Sequence, residues 1–305
     1  MQQLSSSREK KLAFMAVHLL LLATSLAFVA GRLGCYWWIF DLFSHFNHLY
    51  LFIFVIAVGS LFFVPWQQLV AYLLPFSYCA ANVLPHLVLS KAPLSEARIV
   101  KVATVNLNHS NRRADLLLRF IEQSRPELIV FQEYNDFWAE SLSQLKDRYQ
   151  IWQLPRNDSF GLAVFSKHQF EIRTVYLQGG IPIVVGDSKL GFSFLAVHLF
   201  PPINSAYSDL RDKQLWELAA VASASKRPLV LMGDLNNTVW SCSYGFLRKI
   251  GLNPVSYTAS WPHPLPVIQI DHILTDCRMR TLYRGPYVGS DHYPLVAELV
   301  LPEVS

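Results

Sequence analysis

The stretch that decides the fold is LVLMGDLNNT, residues 229–238, in which four apolar residues and a glycine are followed by Asp234 and Asn236. Four apolar residues in a row are typical of a strand buried in a protein core. Side chains two apart in an extended chain lie on one face, so we expect Asp234 and Asn236 to point together beyond the strand end. The chemistry open to that pair depends on which other residues reach the same place.

Other predicted strands end in similar polar residues. From residue 98 onward, apolar strands alternate with polar stretches and helices, which is typical of an α/β domain with one large core. Polar residues at the strand ends are Asn106 after IVKVATVNL, Glu133 in ELIVFQE, His198 in GFSFLAVHL, Asp271 and His272 in QIDHILT, and Asp291 and His292 before YPLVAELVL. One such residue is usually a turn residue or a helix cap. So many acids, amides and imidazoles together indicate convergence at one edge of a sheet.

The residue types at these strand ends suit a particular chemistry. Carboxylate and amide oxygens are hard ligands that bind Mg²⁺ or Mn²⁺, and the sequence has too few cysteines and clustered histidines for zinc. Hydrolysis of a phosphate ester needs a metal, a base for water, and donors for the developing charge. We expect Glu133 to hold the metal, Asp234 to act as the base, and Asn236 with two histidines to donate.

Six short motifs carry a resemblance to a known family. In chain order they are TVNLN, FQE, VHL, GDLN, IDHI and SDHYPLV. This set resembles the endonuclease/exonuclease/phosphatase superfamily, which includes deoxyribonuclease I, repair nucleases, inositol polyphosphate 5-phosphatases and neutral sphingomyelinases, and it covers roughly residues 99–301. The resemblance implies an α/β four-layer sandwich, with two mixed β-sheets face to face, helices outside and the site at one end. Apolar runs ahead of such a domain also resemble bacterial, membrane-anchored members.

The resemblance also implies a role for each matched residue. Glu133 would be the main Mg²⁺ ligand, with Asn106 beside it and Asp291 next to the metal site. Asp234 would orient or deprotonate the attacking water, and Asn236 would steady the water or the phosphoryl group. In the remaining positions, His292, held by Asp271, would stabilise the transition state, and His198 would contact the scissile phosphate.

Residues beside these motifs are weaker candidates for substrate contact. Asn108, His109 and Asn237 lie close to the motifs, and Trp261 would cover a leaving group unless it packs on the core. Repair nucleases carry an aspartate where this sequence has Asn108, which argues against abasic-site repair. His272 should face away from its neighbour Asp271 and be structural.

Three apolar runs precede the α/β region. They cover residues 12–30, 49–64 and 69–89 and predict about three transmembrane helices within a membrane region of residues 1–97, followed by a catalytic domain of residues 98–305. Arg8, Lys10 and Lys11 favour a cytoplasmic N-terminus, although they would also suit a signal peptide. Three spans would place the catalytic domain outside the cytoplasm. If the third run, with its prolines, does not cross, the catalytic domain would instead lie in the cytoplasm.

Charge and cysteine usage limit the partners. The first hundred residues hold six Lys/Arg and three acids, which leaves 20 basic and 19 acidic residues and no charge pattern for gripping duplex DNA. Cys35, Cys79, Cys242 and Cys277 have no zinc-ribbon spacing, and both the redox compartment and a pairing of Cys242 with Cys277 stay open.

The sequence therefore predicts a membrane-anchored, Mg²⁺-dependent phosphoester hydrolase, most simply a phosphodiesterase or nuclease. A lipid or small-molecule phosphodiesterase or phosphatase is the first alternative, and a non-catalytic membrane-bound binding module is the second. Partners would be the phosphoester substrate, either nucleic acid or a phospholipid, and the bilayer, with no obligate protein partner. Glycosylation sequons at Asn108 and Asn236 would endanger the site in a eukaryotic secretory route, which favours a bacterial inner-membrane protein with a periplasmic domain.

Overall fold

The chain forms two compact units. The computed structural model describes residues 2–59, 66–87, 98–188, 191–252 and 256–301. The first unit comprises Met1–Leu87 with Trp240–Cys242, and the second comprises Val88–Val239 with Ser243–Ser305. The predicted domain boundary at residue 97 falls at the end of residues 88–97, which lie outside the described residues.

The N-terminal unit is helical. Its helices are α1 (Gln2–Arg32), α2 (Trp38–Ser44), α3 (Asn47–Gly59) and α4 (Trp66–Val83), followed by a 3₁₀ turn (Leu84–His86). Within α1, Lys11–Arg32 is long and apolar enough to cross a membrane, because 22 residues span about 33 Å. Leu19 and Leu26 on this helix are 63% and 62% exposed.

Three membrane spans are predicted, and that number stays a prediction. Within the part of the chain that the structure describes, one helix is long and apolar enough to cross, or two if α2 and the first part of α3, which meet at a bend of 55°, count as one span. The last five residues of the second predicted run, 60–64, lie outside the described ranges. The third forms α4, with Pro75 inside the helix, and its last two residues are also outside them.

Residues 240–242 are held within the N-terminal unit by several contacts. Cys242 forms a disulfide with Cys35, with their Cα atoms 5.4 Å apart, and not with Cys277. Asp41 accepts hydrogen bonds from the Ser241 hydroxyl at 2.8 Å and from the Cys242 N–H at 3.3 Å. These bonds explain why a short segment from late in the chain belongs to the N-terminal unit.

The C-terminal unit contains two mixed β-sheets. In chain order its strands are β1 (Ile99–Asn106), β2 (Leu128–Gln132), β3 (Gln150–Leu154), β4 (Leu162–Ser166), β5 (Phe170–Leu177), β6 (Ile181–Ser188), β7 (Ser193–His198), β8 (Leu229–Asp234), β9 (Asp271–Thr275), β10 (Arg278–Arg284) and β11 (Leu295–Val300). One sheet has the order β10-β11-β1-β2-β4-β3 and the other β5-β6-β7-β8-β9. Its helices are α5 (Ala114–Ser124), α6 (Asp136–Ser141), α7 (Ser205–Ala224) and α8 (Gly245–Lys249), with a 3₁₀ turn at Ser143–Leu145.

The two sheets pack face to face. Strand β1 contacts β8 and β9, and β2 contacts β7 and β8. Val102 and Val130 of the first sheet share a buried core with Phe194 and Met232 of the second. Helix α5 covers the outer face of the first sheet, where Phe120 belongs to a second core cluster. The predicted fold class, two mixed sheets flanked by helices, is therefore confirmed.

Burial explains which strands were visible in the sequence. The six strands named above all form, and so does a seventh predicted strand, GLAVFS, which is β4. Strands β2, β4, β7 and β8 are buried along their whole length, which is why their sequences are uninterrupted apolar runs. Strands β3, β5, β6 and β10 were not predicted. Of these, β3, β5 and β10 lie at sheet edges and carry exposed polar residues, so their patterns resemble those of loops.

Each sheet has one parallel pair, and these pairs position the polar strand ends. Strand β1 runs parallel to β2, with Asn106 opposite Gln132, and β7 runs parallel to β8, with His198 opposite Asp234. Parallel strands end at the same edge of a sheet. The two packed sheets therefore present Asn106, Glu133, His198 and Asp234 at one end of the sandwich.

Candidate active site

Asp234 lies at the centre of the polar cluster. Its Oδ2 accepts a hydrogen bond from Asn106 Nδ2 at 3.1 Å, and it lies 3.7 Å from His198 Nε2 and 3.9 Å from His292 Nε2. Its Oδ1 accepts the Asn236 N–H at 2.7 Å. Burial and the charge of Asp271 raise the pKa of Asp234 to about 6, against the opposing effect of the two histidines. A carboxylate with a raised pKa is suited to take a proton from water.

The chain reaches this geometry through a glycine just before the aspartate. Gly233 has φ of 143°, and a Cβ at this position would collide with the carbonyl group of Val197 on the neighbouring parallel strand. Only glycine allows both that backbone conformation and that close approach. Gly233 therefore fixes how Asp234 leaves the sheet.

Asn236 does not share a strand face with Asp234. The strand ends at Asp234, and Asn236 has φ of 46° in the left-handed region, so the alternation expected of an extended chain stops there and that expectation is wrong. Its backbone N–H bonds to Asp234, and its side-chain amide donates to the Leu199 carbonyl at 2.9 Å. The two residues are joined by a tight turn.

Glu133 lies beside this centre, on the β2 side. Asn106 Nδ2 donates to its Oε1 at 3.2 Å, and the His109 N–H donates to its Oε2 at 2.7 Å. Asn106 thus joins Glu133 to Asp234. Glu133 has φ of 56° and Asn108 has φ of 58°, both in the left-handed region. Strained residues of this kind cluster at functional sites, where the surrounding structure holds them in place.

His292 is held by a buried carboxylate. Its Nδ1 lies 2.8 Å from Asp271 Oδ2, which also accepts the Ser260 hydroxyl at 2.6 Å. Burial opposes the charged imidazole, but the charge and hydrogen bond of Asp271, with Asp234 and Asp291 nearby, outweigh it and raise the pKa of His292 to about 10. His292 is therefore protonated at neutral pH, with Nε2 directed towards Asp234.

Asp291 lies at the exposed rim of the cluster. Asn108 Nδ2 donates to its Oδ1 at 2.6 Å, and Trp261 Nε1 donates to its Oδ2 at 3.1 Å. Burial alone would raise the pKa of Asp291, but the charge of His292 and these hydrogen bonds hold it below its usual range. Trp261 and Asn108 therefore border the site through Asp291, and His109 borders it through its bond to Glu133. That these three residues contact substrate stays a prediction.

Two candidate residues point elsewhere. Asn237 is completely buried, and its amide bonds to the Ser243 hydroxyl and to the Thr238 N–H, so its side chain is not directed into the cluster. His272 bonds to the Asn237 carbonyl at 2.7 Å and faces away from Asp271, as expected. Burial lowers the pKa of His272 to about 4, which makes it a neutral core histidine.

Sequence reasoning missed three residues around the site. Ser260 bonds to Asp271, Phe160 places its ring 5.3 Å from that of His198, and Arg211 is completely buried with Nη1 3.3 Å from the Asn236 carbonyl oxygen. Ser260 and Phe160 lie in loops without periodicity. Arg211 is spaced four and seven residues before the buried Leu215 and Leu218 of α7, and that helical spacing could have identified it.

The donor set fits a hard divalent cation. Glu133 contacts neutral amides and N–H groups and has no cationic partner among the described residues. Asp234 and Asp291 add two more carboxylates, and Asn106 adds an amide oxygen. An oxygen-rich set of this kind is what Mg²⁺ or Mn²⁺ prefers.

A second grouping of donor atoms suits a metal less well. Asp234, Asp271 and His292 bring donor atoms within 4.8 Å of one another. The Nδ1 atom of His292 is engaged by Asp271, and the ring is protonated, so it has no lone pair to offer a cation. We therefore favour Glu133, Asn106 and Asp291 as the residues able to hold a metal.

Comparison with known proteins supports a shared fold. Residues 103–292 match the model of the Endonuclease/Exonuclease/phosphatase family. No curated protein matches the sequence. Among solved structures, an endonuclease/exonuclease/phosphatase from Beutenbergia cavernae is 18% identical, with a TM-score of 0.54 over 67% of this chain and 72% of that one.

Two structures with named activities or ligands are similar to a comparable degree. The 3′ phosphatase NExo from Neisseria, bound to a product DNA hairpin, is 15% identical, with a TM-score of 0.55 over 66% of this chain and 100% of that one. Humanized D. rerio TDP2 is 13% identical, with a TM-score of 0.54 over 67% of this chain and 99% of that one. Identities this low show the fold alone.

Proposed function

This chain belongs to the endonuclease/exonuclease/phosphatase family, whose members are metal-dependent phosphoester hydrolases, and from that premise we propose that it is a membrane-anchored, Mg²⁺-dependent phosphodiesterase acting on nucleic acid. The observation that carries the proposal is the setting of Asp234. This buried carboxylate lies between Asn106, His198 and His292, where the two sheets meet. A base, a charged donor and further polar groups thus surround one small space.

The side chains take complementary parts in hydrolysis. Asp234 accepts the proton of the attacking water, for which its raised pKa suits it. His292, kept protonated by Asp271, stabilises negative charge that develops on the phosphoryl oxygens. His198 contacts the phosphate, and the turn at Asn236 fixes the Asp234 carboxylate.

Glu133, Asn106 and Asp291 are the oxygen donors that would hold a divalent cation. When bound, it would supply positive charge to neutralise the phosphoryl oxygens. The strained backbone at Glu133 keeps its carboxylate beside Asn106, and the Asn108 amide orients Asp291.

Two features, the apolar helix and the disulfide, support a compartment outside the cytoplasm. One crossing by Lys11–Arg32, with the basic N-terminus in the cytoplasm, places the rest of the chain outside. The Cys35–Cys242 disulfide supports this side, because such bonds persist in oxidising compartments and are rare in the cytosol. Cys242 lies three residues after Val239 and directly before Ser243, both of the catalytic unit, so the catalytic unit shares its compartment. We propose a bacterial inner-membrane protein with a periplasmic enzyme.

Substrate choice has one alternative with its own support. The similar NExo structure is bound to a DNA product, which favours nucleic acid by analogy of fold. A phospholipid or a small phosphodiester is the second candidate, because an apolar helix would keep the enzyme at a bilayer.

Hydrolysis by the purified full chain in detergent tests the proposal. Substrates are single- and double-stranded DNA, RNA, sphingomyelin and a phosphoinositide, each with Mg²⁺, with EDTA, and with Mg²⁺ restored. We expect cleavage of nucleic acid that EDTA abolishes and Mg²⁺ restores. Cleavage of the lipids alone would support the second candidate.

The matched variants are Asp234→Asn and Asp209→Asn. Asp209 is an exposed acid on α7, so its variant should keep the wild-type rate. Asp234→Asn should lose at least about 10²-fold in kcat, since it removes the base and keeps the shape of the side chain. An Asp234→Asn protein as fast as wild type would contradict the assigned base. Retained Mg²⁺ binding with no hydrolysis by wild type would support a non-catalytic module.

A further inference from the structure

Four neighbouring residues, partly or fully exposed, form a ladder beside the catalytic cluster. The ring of His263 is stacked on that of Tyr287 at 3.9 Å with an interplanar angle of 19°, and it lies 5.4 Å from that of Tyr293 at a tilt of 53°. The Arg284 guanidinium lies 4.9 Å above the Tyr293 ring. We call Tyr287, His263, Tyr293 and Arg284 the aromatic ladder.

The ladder is attached directly to the site. The His263 N–H donates to the Asp291 carbonyl oxygen at 2.7 Å, and the neighbouring Trp261 donates to the Asp291 side chain. Tyr293 follows His292, and its N–H donates to the carbonyl of Ser260. These backbone bonds attach the ladder to the loops that carry Asp291, His292 and Ser260.

The ladder has an open end. Tyr287 is 41% exposed, and His263 covers one face of its ring. Stacked aromatic rings on a protein surface are a ready platform for another flat π-system. None of the catalytic roles proposed for the site uses these residues.

The charge of the ladder selects the kind of ligand. Arg284 is exposed, donates a hydrogen bond to the Ala259 carbonyl at 3.4 Å, and has no carboxylate partner within the described ranges. A guanidinium at this place attracts a phosphate backbone and repels the quaternary ammonium of a choline headgroup. Aromatic faces combined with a cation are typical of sites for unpaired nucleic-acid bases.

We propose that the aromatic ladder is a base-stacking subsite for the nucleotide adjoining the scissile phosphate of a single-stranded polynucleotide. This inference rests on the proposed phosphodiesterase function. A paired base in a duplex has both faces covered, so the ladder favours single strands. The balance of 20 basic and 19 acidic residues after residue 100 agrees, because it offers little attraction for a duplex.

The test compares two single-stranded oligomers of equal length and charge, an oligothymidylate and its fully abasic analogue. The full chain in detergent with Mg²⁺ should show a higher kcat/KM for the oligothymidylate by roughly tenfold or more, the size of one base–aromatic stack. Tyr287→Ala should bring the two values within about twofold of each other. Tyr287→Phe, which keeps the ring, should preserve the preference.

Two further variants keep the test decisive. Trp216→Ala removes an aromatic residue that is 60% exposed on α7 and should keep the preference. His263→Ala should lose the preference for the oligothymidylate. This variant replaces Tyr287→Ala in the test if thermal unfolding shows that Tyr287→Ala does not fold.

Two outcomes would overturn the inference while leaving the proposed function intact. One is a wild type that cleaves both oligomers equally, and the other is a folded Tyr287→Ala protein that keeps its preference for bases. A wild type with no metal-dependent hydrolysis of any phosphoester would remove the proposed function, and the inference with it.

Discussion

Asp271 and His292 share a buried hydrogen bond of 2.8 Å between Oδ2 and Nδ1, although 20 residues of loop and strand separate them in the chain. Asp271 lies at the start of β9, in the second sheet, and His292 precedes β11, in the first. Their pairing joins the two sheets at the site, and it keeps the imidazole charged.

Removing the charge of Asp271 should shift the alkaline limb of the pH–rate profile. The active form of His292 is protonated, so its contribution is lost as pH rises through its pKa of about 10. Asp271→Asn lowers that pKa, and we expect the limb to move towards neutral pH. Ser260→Ala keeps the charge of the Asp271 carboxylate and should move the alkaline limb much less. A limb at the same pH in Asp271→Asn would contradict the assigned role.

The acid limb of the pH–rate profile should reflect the titration of Asp234. The base is active when deprotonated, so the rate should rise with pH through about 6 and then level off. The charge of His198 lowers the pKa of Asp234, and His198→Gln should therefore move the limb to higher pH. The measurement is kcat against pH at saturating Mg²⁺. A shift to lower pH in His198→Gln would show that another group controls this limb.

His272 should make the protein less stable in acid. Its folded pKa of about 4 is below the usual value of 6.5, so its stabilisation is present above pH 6.5 and is lost as pH falls towards 4. The shift corresponds to about 3 kcal/mol at most. In His272→Gln this part of the pH dependence should vanish. Unfolding temperatures at pH 7 and pH 4.5 for both proteins measure it, and equal losses in the two would refute the assignment.

Arg211 should support the turn at Asn236. Its buried guanidinium donates to the Asn236 carbonyl and to Asp212. Arg211→Met leaves that carbonyl without this donor, and we expect a loss of about 2 kcal/mol in the free energy of unfolding together with a lower kcat. Arg211→Lys should recover part of both. Arg119→Met, at an exposed arginine of α5, is the control and should change neither.

The disulfide should mark the compartment. Denatured, unreduced protein should expose two reactive thiols, Cys79 and Cys277, and reduction should raise the number to four. Protein from cells that cannot form periplasmic disulfides should expose four reactive thiols without reductant. A reporter active only outside the cytoplasm, fused after the last residue, should be active. An inactive but well-expressed fusion would contradict the periplasmic assignment.

Local sequence was sufficient for the buried part of the fold. Strands such as β2 and β8 are covered on both faces, so their apolar runs stand out, and the polar residues that end them were recognisable. The edge strands β3, β5 and β10 were invisible because one exposed face gives them a mixed pattern. Hydropathy predicts three membrane spans, whereas the described residues hold one helix able to cross, or two if the bent pair is one span, because hydropathy does not show where a helix bends or ends.

The sequence by itself determined the chemical inventory: an acid and an amide after a core strand, and histidines and carboxylates at other strand ends. Only the tertiary structure decided how they work together. Asp234 acquires its raised pKa from burial beside Asp271, and Cys242 meets Cys35 across 207 residues. The reason is physical: strand formation depends on neighbours in sequence, whereas burial, charge coupling and side-chain pairing depend on distances in space, which folding alone sets.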